Sequence, residues 1–172
     1  MNVIPCDESH SDQILSIFNE AILNSTALYD YQPRPLESMA TWFAAKRQGN
    51  YPVIGAVSEM GELMGFATYG VFRGWPAYKY SVEHSVYVAA QHRGKGIGKR
   101  LLQGIIEEAV TQNYHVLVGC IDSQNAVSIA LHRALGFHYA GTIRQVGFKF
   151  GQWLDLDLYQ MILRTPASPV DG

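Results

Sequence analysis

Apolar and polar positions recur along this chain in two periods, and between them they mark out nearly every element. Residues 2–6, with Val3 and Ile4, read as a short strand. After Ser11, a candidate cap, the residues Ile14, Leu15, Ile17, Phe18, Ala21 and Ile22 return at three- and four-residue spacings, which predicts an amphipathic helix. A second helix is predicted from Pro35 to Gln48, burying Met39, Trp42 and Phe43 and ending at Gly49. Strands follow at 53–58 and 63–71, joined by a turn around Gly61. The irregular stretch 72–80 leads into an alternating β-branched strand at 82–88. A helix over 98–112 gathers Leu101, Leu102, Ile105, Ile106, Ala109 and Val110 on one face, with Glu107 and Glu108 outward. His115–Ile121 is apolar nearly throughout, the pattern of a strand covered on both sides. A helix over Asn125–Leu135, stopped by Gly136, and strands at 137–146 and 153–163 complete the order.

That order is strand, two helices, three strands, helix, strand, helix, two strands: a mixed α/β (α+β) sheet domain. Residues 1–164 are expected to form one domain, and 165–172, with two prolines and little to bury, a disordered tail. With 13 basic and 15 acidic residues, the balance argues against a general nucleic-acid-binding surface. No apolar run approaches the roughly 20 residues of a membrane span. Cys6 and Cys120 lie far apart in apolar, strand-like contexts, which points to reduced thiols and a cytoplasmic setting. No metal site is predicted, because Glu83-His84 lacks a partner at ligand spacing and His132 and His138 stand six apart.

Candidate chemistry concentrates where the 82–88 strand runs into Arg93-Gly94-Lys95-Gly96-Ile97-Gly98-Lys99-Arg100 and a helix opens. Such a junction offers free backbone N–H groups and a positive dipole end to an anion, usually a phosphate. The spacing is not that of a P-loop, since Arg93 stands where the first glycine would be and Arg100 where Ser or Thr would hold magnesium. Nor is it a dinucleotide fingerprint, because Lys99 or Leu101 occupies the third glycine position.

The pattern Arg-x-x-Gly-x-Gly, Arg93 to Gly98, resembles the pyrophosphate loop of the GNAT acetyltransferase superfamily, whose cofactor is acetyl-CoA. Asn125-x-x-Ser128-x-x-x-His132-x-x-x-Gly136-Phe137 is similar to that superfamily's Asn-x-x-Ala-x-x-x-Tyr-x-x-x-Gly-Phe helix. Closer similarity is to the phosphinothricin acetyltransferase-like branch, which includes methionine sulfoximine and methionine sulfone acetyltransferases. It is carried by Val82–Val88, Leu131–Phe137 and Gln145–Asp155, with Trp42-Phe43, Gly49–Val53 and Tyr69-Gly70 to Arg73. The chain departs from several members at Val71-Phe72 and at Lys79, which bears on the substrate side chain rather than the reaction. The resemblance implies a mixed, mostly antiparallel sheet of about seven strands flanked by about four helices.

It also implies an acetyl-CoA-dependent N-acetyltransferase working on the α-amine of a small amino-acid analogue, by direct attack of the amine on the thioester. Rival readings are another amine (a polyamine, an aminoglycoside or a protein N-terminus) and a non-catalytic acyl-CoA-binding sensor. Cofactor contacts are expected from the loop Arg93, Gly94, Lys95, Gly96, Ile97, Gly98 and Lys99, from the backbone of Val86, Tyr87 and Val88, and from Asn125. Asn125 also stands where a helix cap is needed, and the two roles are compatible.

Glu83 shares a strand face with Ser85 and Tyr87, opposite His84, and lies just before the cofactor-pairing segment in an otherwise apolar strand. That is a place for a general base, the role the resemblance implies. His132, two helical turns past Asn125, reads either as a proton donor or substrate contact near the sulfur, or as a satisfied, half-buried histidine. Arg73, Lys79 and Lys149 are candidate contacts for carboxylate or phosphinate oxygens, with Trp75, Tyr78 and Tyr80 as walls and Tyr29 closing from the early loop. The aromatic, glycine-flanked 145–155 stretch is too apolar for a free hairpin tip and predicts a homodimer contact.

Overall fold

The computed structural model describes residues 1–171, and Gly172 of the expected tail lies outside them. Four helices accompany seven strands ordered β1-β2-β3-β4-β5-β7-β6. The strands are β1 (Asn2–Pro5), β2 (Val53–Val57), β3 (Leu63–Val71), β4 (Ser81–Val88), β5 (Val116–Asp122), β6 (His138–Lys149) and β7 (Gln152–Ile162). The helices are α1 (Ser11–Asn24), α2 (Ser38–Gln48), α3 (Ile97–Thr111) and α4 (Ala126–Ala134). β4 and β5 pair in parallel; the pairs β1–β2, β2–β3, β5–β7 and β6–β7 are antiparallel. The predicted fold class is the one observed.

The chain divides into two compact units. One comprises residues 1–68 and 85–105. The apolar stripe of α1 supplies Ile14, Ile17 and Phe18 to its core, where they meet Met39 and Phe43 of α2 and Leu63 and Phe66 of β3. Phe18 is edge-on to Trp42, Phe66 and Tyr87, with ring centroids 5.5, 4.9 and 5.3 Å away. Ser11 is not the cap of α1. Winding begins one turn earlier, where Asp7 caps a 3-10 turn over Glu8–His10 by accepting from Ser9 N at 3.0 Å. α2 likewise starts later than Pro35, because the Ser38 and Met39 amides first close a turn onto the Pro35 and Leu36 carbonyls.

The other unit comprises residues 69–84 and those from 106 onward. Here β6 runs to Lys149, past the expected end at 146, and β7 starts one residue early at Gln152. Phe150 (φ 52°) and Gly151 (φ 75°) make a two-residue turn of the primed type that matches strand twist. A bulge absorbs the extra length: the register shifts between Ile143 and Gly147, and Gln145 (φ 52°) donates its amide to Asp155 Oδ1 at 2.8 Å. The stretch read as a broad turn is therefore mostly strand. Among its described residues the tail carries no helix or strand, and it is hydrogen-bonded to the rest of the chain. His115 Nδ1 donates to the Thr165 carbonyl at 2.7 Å, and Val170 N to Tyr80 Oη at 3.1 Å. Among the described residues no helix is long and apolar enough to cross a membrane.

Candidate active site

In the first unit, the loop between β4 and α3 has the form an anion cradle requires. Gly94 (φ 76°) and Gly96 (φ 78°) are both in the left-handed region, and nothing lies within 4 Å of where a Cβ would project from either. α3 opens at Ile97, itself 3 % exposed, and its first bond runs from Arg100 N to Gly96 O at 3.2 Å. The preceding amides therefore sit at the positive end of a 15-residue helix.

The basic residues divide. Arg93 is a brace: Nε donates to the Val88 carbonyl at 3.1 Å and the guanidinium pairs with Glu20 at 2.5 Å. Lys95 Nζ donates to the Gln91 carbonyl at 3.1 Å. Lys99 and Arg100 are exposed. Nothing in the sequence pointed to Glu20 as the partner of Arg93, since 73 residues separate them. Val86, Tyr87 and Val88 are half-buried, with the Tyr87 ring 5.3 Å from that of Phe66.

In the second unit, β4–β5 pairing sorts the chemistry by strand face. Glu83 is opposite Val118, which puts Cys120 on the same face one step along. Burial pushes the Glu83 carboxyl above its usual range, against the opposing pull of a hydrogen bond from the Cys120 thiol and the positive charge of Arg73. Cys120 is pushed up to about 12, chiefly by burial and then by the Glu83 charge, so the thiol keeps its proton and is the donor. Cys120, read from the sequence only as a reduced thiol in an apolar strand, is thus a partner of the candidate base. Only the register of the two strands shows it.

On the opposite face, His84 pairs with Gly119 in the ladder, and its Nε2 lies 2.9 Å from Nε2 of His132. Both imidazoles are buried, nearly parallel, with centroids 5.1 Å apart, and Phe137 packs against each. Asn125 caps α4 by accepting from Ser128 N at 3.1 Å. The 72–80 loop is open: Arg73 lies over the Phe72 ring, Phe72 is edge-on to Tyr78, Lys79 lies over Tyr80, and Trp75 is 75 % exposed. Lys149 is only 4 % exposed, its ammonium 5.0 Å from the Phe150 ring centroid. Among the described residues no three His, Cys, Asp or Glu side chains cluster as a metal site would require.

Residues 15–137 match the Acetyltransferase (GNAT) family. The chain is 47 % identical over 155 residues, 90 % of each protein, to the L-methionine sulfoximine/L-methionine sulfone acetyltransferase of Pseudomonas paraeruginosa. It is 40 % identical over 156 residues, 91 % of this chain and 90 % of the other, to the L-amino acid N-acyltransferase MnaT of Escherichia coli. The crystal structure of a phosphinothricin acetyltransferase from Sinorhizobium meliloti in complex with acetyl-CoA superposes with a TM-score of 0.93 at 34 % identity, covering 98 % of this chain and 91 % of that one. With its sheet order, its glycine loop opening α3 and these matches in accord, the chain belongs to the GNAT acetyltransferase family.

Proposed function

We propose that this chain is an acetyl-CoA-dependent N-acetyltransferase that acetylates the α-amino group of a small amino acid of the methionine sulfoximine, methionine sulfone or phosphinothricin type. The observation that carries the reading is Glu83, a half-buried carboxylate with a thiol donor and Arg73 beside it, on the same strand that continues through Val86–Val88 into the glycine loop. The relatives named for acetylation of such amino acids support the substrate class.

The loop fits the cofactor, since two left-handed glycines with open space above them leave the backbone amides approachable. Gly94 to Lys99 would hold the pyrophosphate, with Lys99 and Arg100 adding charge, while Arg93 holds the loop to Val88 and Glu20. Val86 to Val88 would pair through their backbone with the pantetheine arm, and Asn125 adds a polar contact besides its cap. When bound, acetyl-CoA supplies the acetyl group as a thioester.

Glu83 takes the proton that the substrate ammonium must lose before its nitrogen can attack, directly or through one water. An amide near Val86 donates to the oxygen on which charge develops; such a donor contributes about 3 kcal/mol in the transition state. His132 is a polar group for the sulfur side of the reaction. Arg73, already acting on the Glu83 charge, is suited to the substrate α-carboxylate, and Lys79, Trp75 and Tyr78 of the same loop are further candidate contacts.

We also propose a homodimer built on the β6–β7 hairpin, where Val146, Phe148, Phe150 and Trp153 are 45 to 60 % exposed. In that assembly Lys149 stands behind the contact and borders the substrate site. Two unpaired cysteines support a reducing, cytoplasmic setting.

The test is release of CoA thiol from acetyl-CoA with methionine sulfone, methionine sulfoximine, phosphinothricin, common amino acids and polyamines. The first three are expected to lead. Turnover only with polyamines, or with none, would overturn the reading.

A further inference from the structure

Each nitrogen of His132 already has a partner. Nδ1 lies 2.7 Å from the Ser128 carbonyl oxygen, which only accepts, so Nδ1 carries the proton. In the neutral ring Nε2 is then a bare lone pair. Its partner is His84 Nε2 at 2.9 Å, and a hydrogen bond between two ring nitrogens needs one proton between them. That proton must belong to His84. His84 Nδ1 is consequently bare, and it is buried with no hydrogen bond of its own. The chain of bonds runs in one direction, from His84 Nε2–H to His132 Nε2 and from His132 Nδ1–H to Ser128.

The site is built around this pair. A Cβ on Gly119 would lie 3.0 Å from His84 Cε1 and 3.2 Å from His132 Nε2, so a larger residue there would push the two rings by a few tenths of an ångström. Phe137 covers them, its centroid 5.1 Å from each. The groups against the two rings are each other, the Ser128 carbonyl and hydroxyl (Oγ 3.4 Å from His132 Nδ1), Gly119, the Val118 backbone and Phe137, while Glu83 belongs to the other strand face.

We infer that His84 is a positioning residue: its Nε2–H locks His132 in one orientation as the neutral Nδ1–H tautomer. The inference deepens the reading of His132 given above and rests on it for its consequence in turnover. With both nitrogens occupied, His132 acts as a fixed neutral dipole beside the reacting sulfur and not as an imidazolium acid. Burial supports this, since it pushes His84 down to about 3, with the neighbouring His132 adding to the effect, and lowers His132 as well, against the pull of the Ser128 carbonyl.

Imidazole 15N–1H correlation spectra of the wild-type protein between pH 6 and 8 test the lock without any turnover. The expected signature is one proton on Nδ1 of His132, one on Nε2 of His84, and no titration of either ring. A proton on Nε2 of His132, a proton on Nδ1 of His84, or a doubly protonated ring in this range would overturn it. His84→Leu removes the donor and His84→Gln keeps one. In the leucine variant the donor that keeps Nε2 unprotonated is gone while burial remains, so His132 is expected to titrate at higher pH than in the wild type but below the ordinary value of about 6.5, and kcat to acquire a fall on the acid side, below about pH 6.5, with KM for acetyl-CoA changed less than about twofold. The glutamine variant is expected to return the wild-type pH profile. Equal losses in both variants with an unchanged profile would reduce His84 to packing and overturn the inference. Should the leucine variant not fold, the wild-type and glutamine spectra decide. Should no amine be acetylated, the proposed function fails while the spectra still decide on the lock.

Discussion

Replacing Glu83 by Gln keeps the side chain's volume and leaves an oxygen for the Cys120 thiol to donate to, so the substitution removes the proton acceptor and little else. A positioned general base contributes about 10²- to 10⁴-fold, which at 1.36 kcal/mol per decade is about 3–5 kcal/mol of barrier. The expected result is a kcat lower by that factor near pH 7 with acetyl-CoA affinity unchanged, read by thiol release at saturating cofactor and by calorimetry. The deficit is expected to shrink toward pH 10, where the substrate amine loses its proton without help.

Stability should move the other way. The folded-state carboxyl titrates above its unfolded value because of burial, so its contribution to stability is present below the unfolded value and is lost as pH rises through the folded one. Above that window the glutamine variant is expected to melt no lower than wild type. A variant within twofold of wild type at pH 7, or a deficit constant from pH 6 to 10, would move the base elsewhere.

Cys120→Ala withdraws a donor that favours the ionised carboxylate, so the acidic limb of kcat/KM is expected to move to higher pH, while Cys120→Ser leaves it nearly in place; coincident limbs in all three proteins would refute the pairing. Gly96→Val combines a β-branched residue with φ 78° and fills the space above the loop, and is expected to weaken acetyl-CoA binding at least tenfold in calorimetry while the fold persists by circular dichroism. Phe150→Asp places a charge on the exposed hairpin and is expected to convert a dimer to a monomer in sedimentation at micromolar protein; a wild-type monomer with normal turnover would refute the proposed assembly.

What the sequence disclosed follows the range of the forces involved. The stripe Ile14, Ile17, Phe18, the glycine loop and the Asn125 cap are local patterns, fixed within one or two turns of chain, and each is found where its period or spacing put it. The hairpin at 145–153 was misread because its glycines and aromatics resemble a turn, whereas a bulge anchored by Asp155 lets the strand continue. The pairings that define the site escaped for another reason. Arg93 with Glu20, Cys120 with Glu83 and His84 with His132 are contacts between residues 37 or more positions apart, created by strand register and helix placement.

That register has a functional weight of its own. In the parallel β4–β5 ladder, Glu83 meets the face of Val118 and Cys120, while its neighbour His84 meets Gly119 on the other. One face therefore sets a thiol donor beside the carboxylate, and the other removes a Cβ where two imidazoles must meet. A slip of one residue in β4 would turn Glu83 into the apolar pocket under Phe137 and His84 toward Cys120, exchanging both environments at once. The two halves of the candidate chemistry thus depend on a single alignment, and the small side chains at 119 and 120 matter as much as the titratable ones at 83 and 84. A Gly119→Ala variant would press on the imidazole pair alone, and overpacking of this kind costs about 1–3 kcal/mol. Its expected effect is a lower melting temperature and an altered His84–His132 spectrum with the Glu83-dependent acidic limb unmoved, because the perturbation stays on one face of the strand.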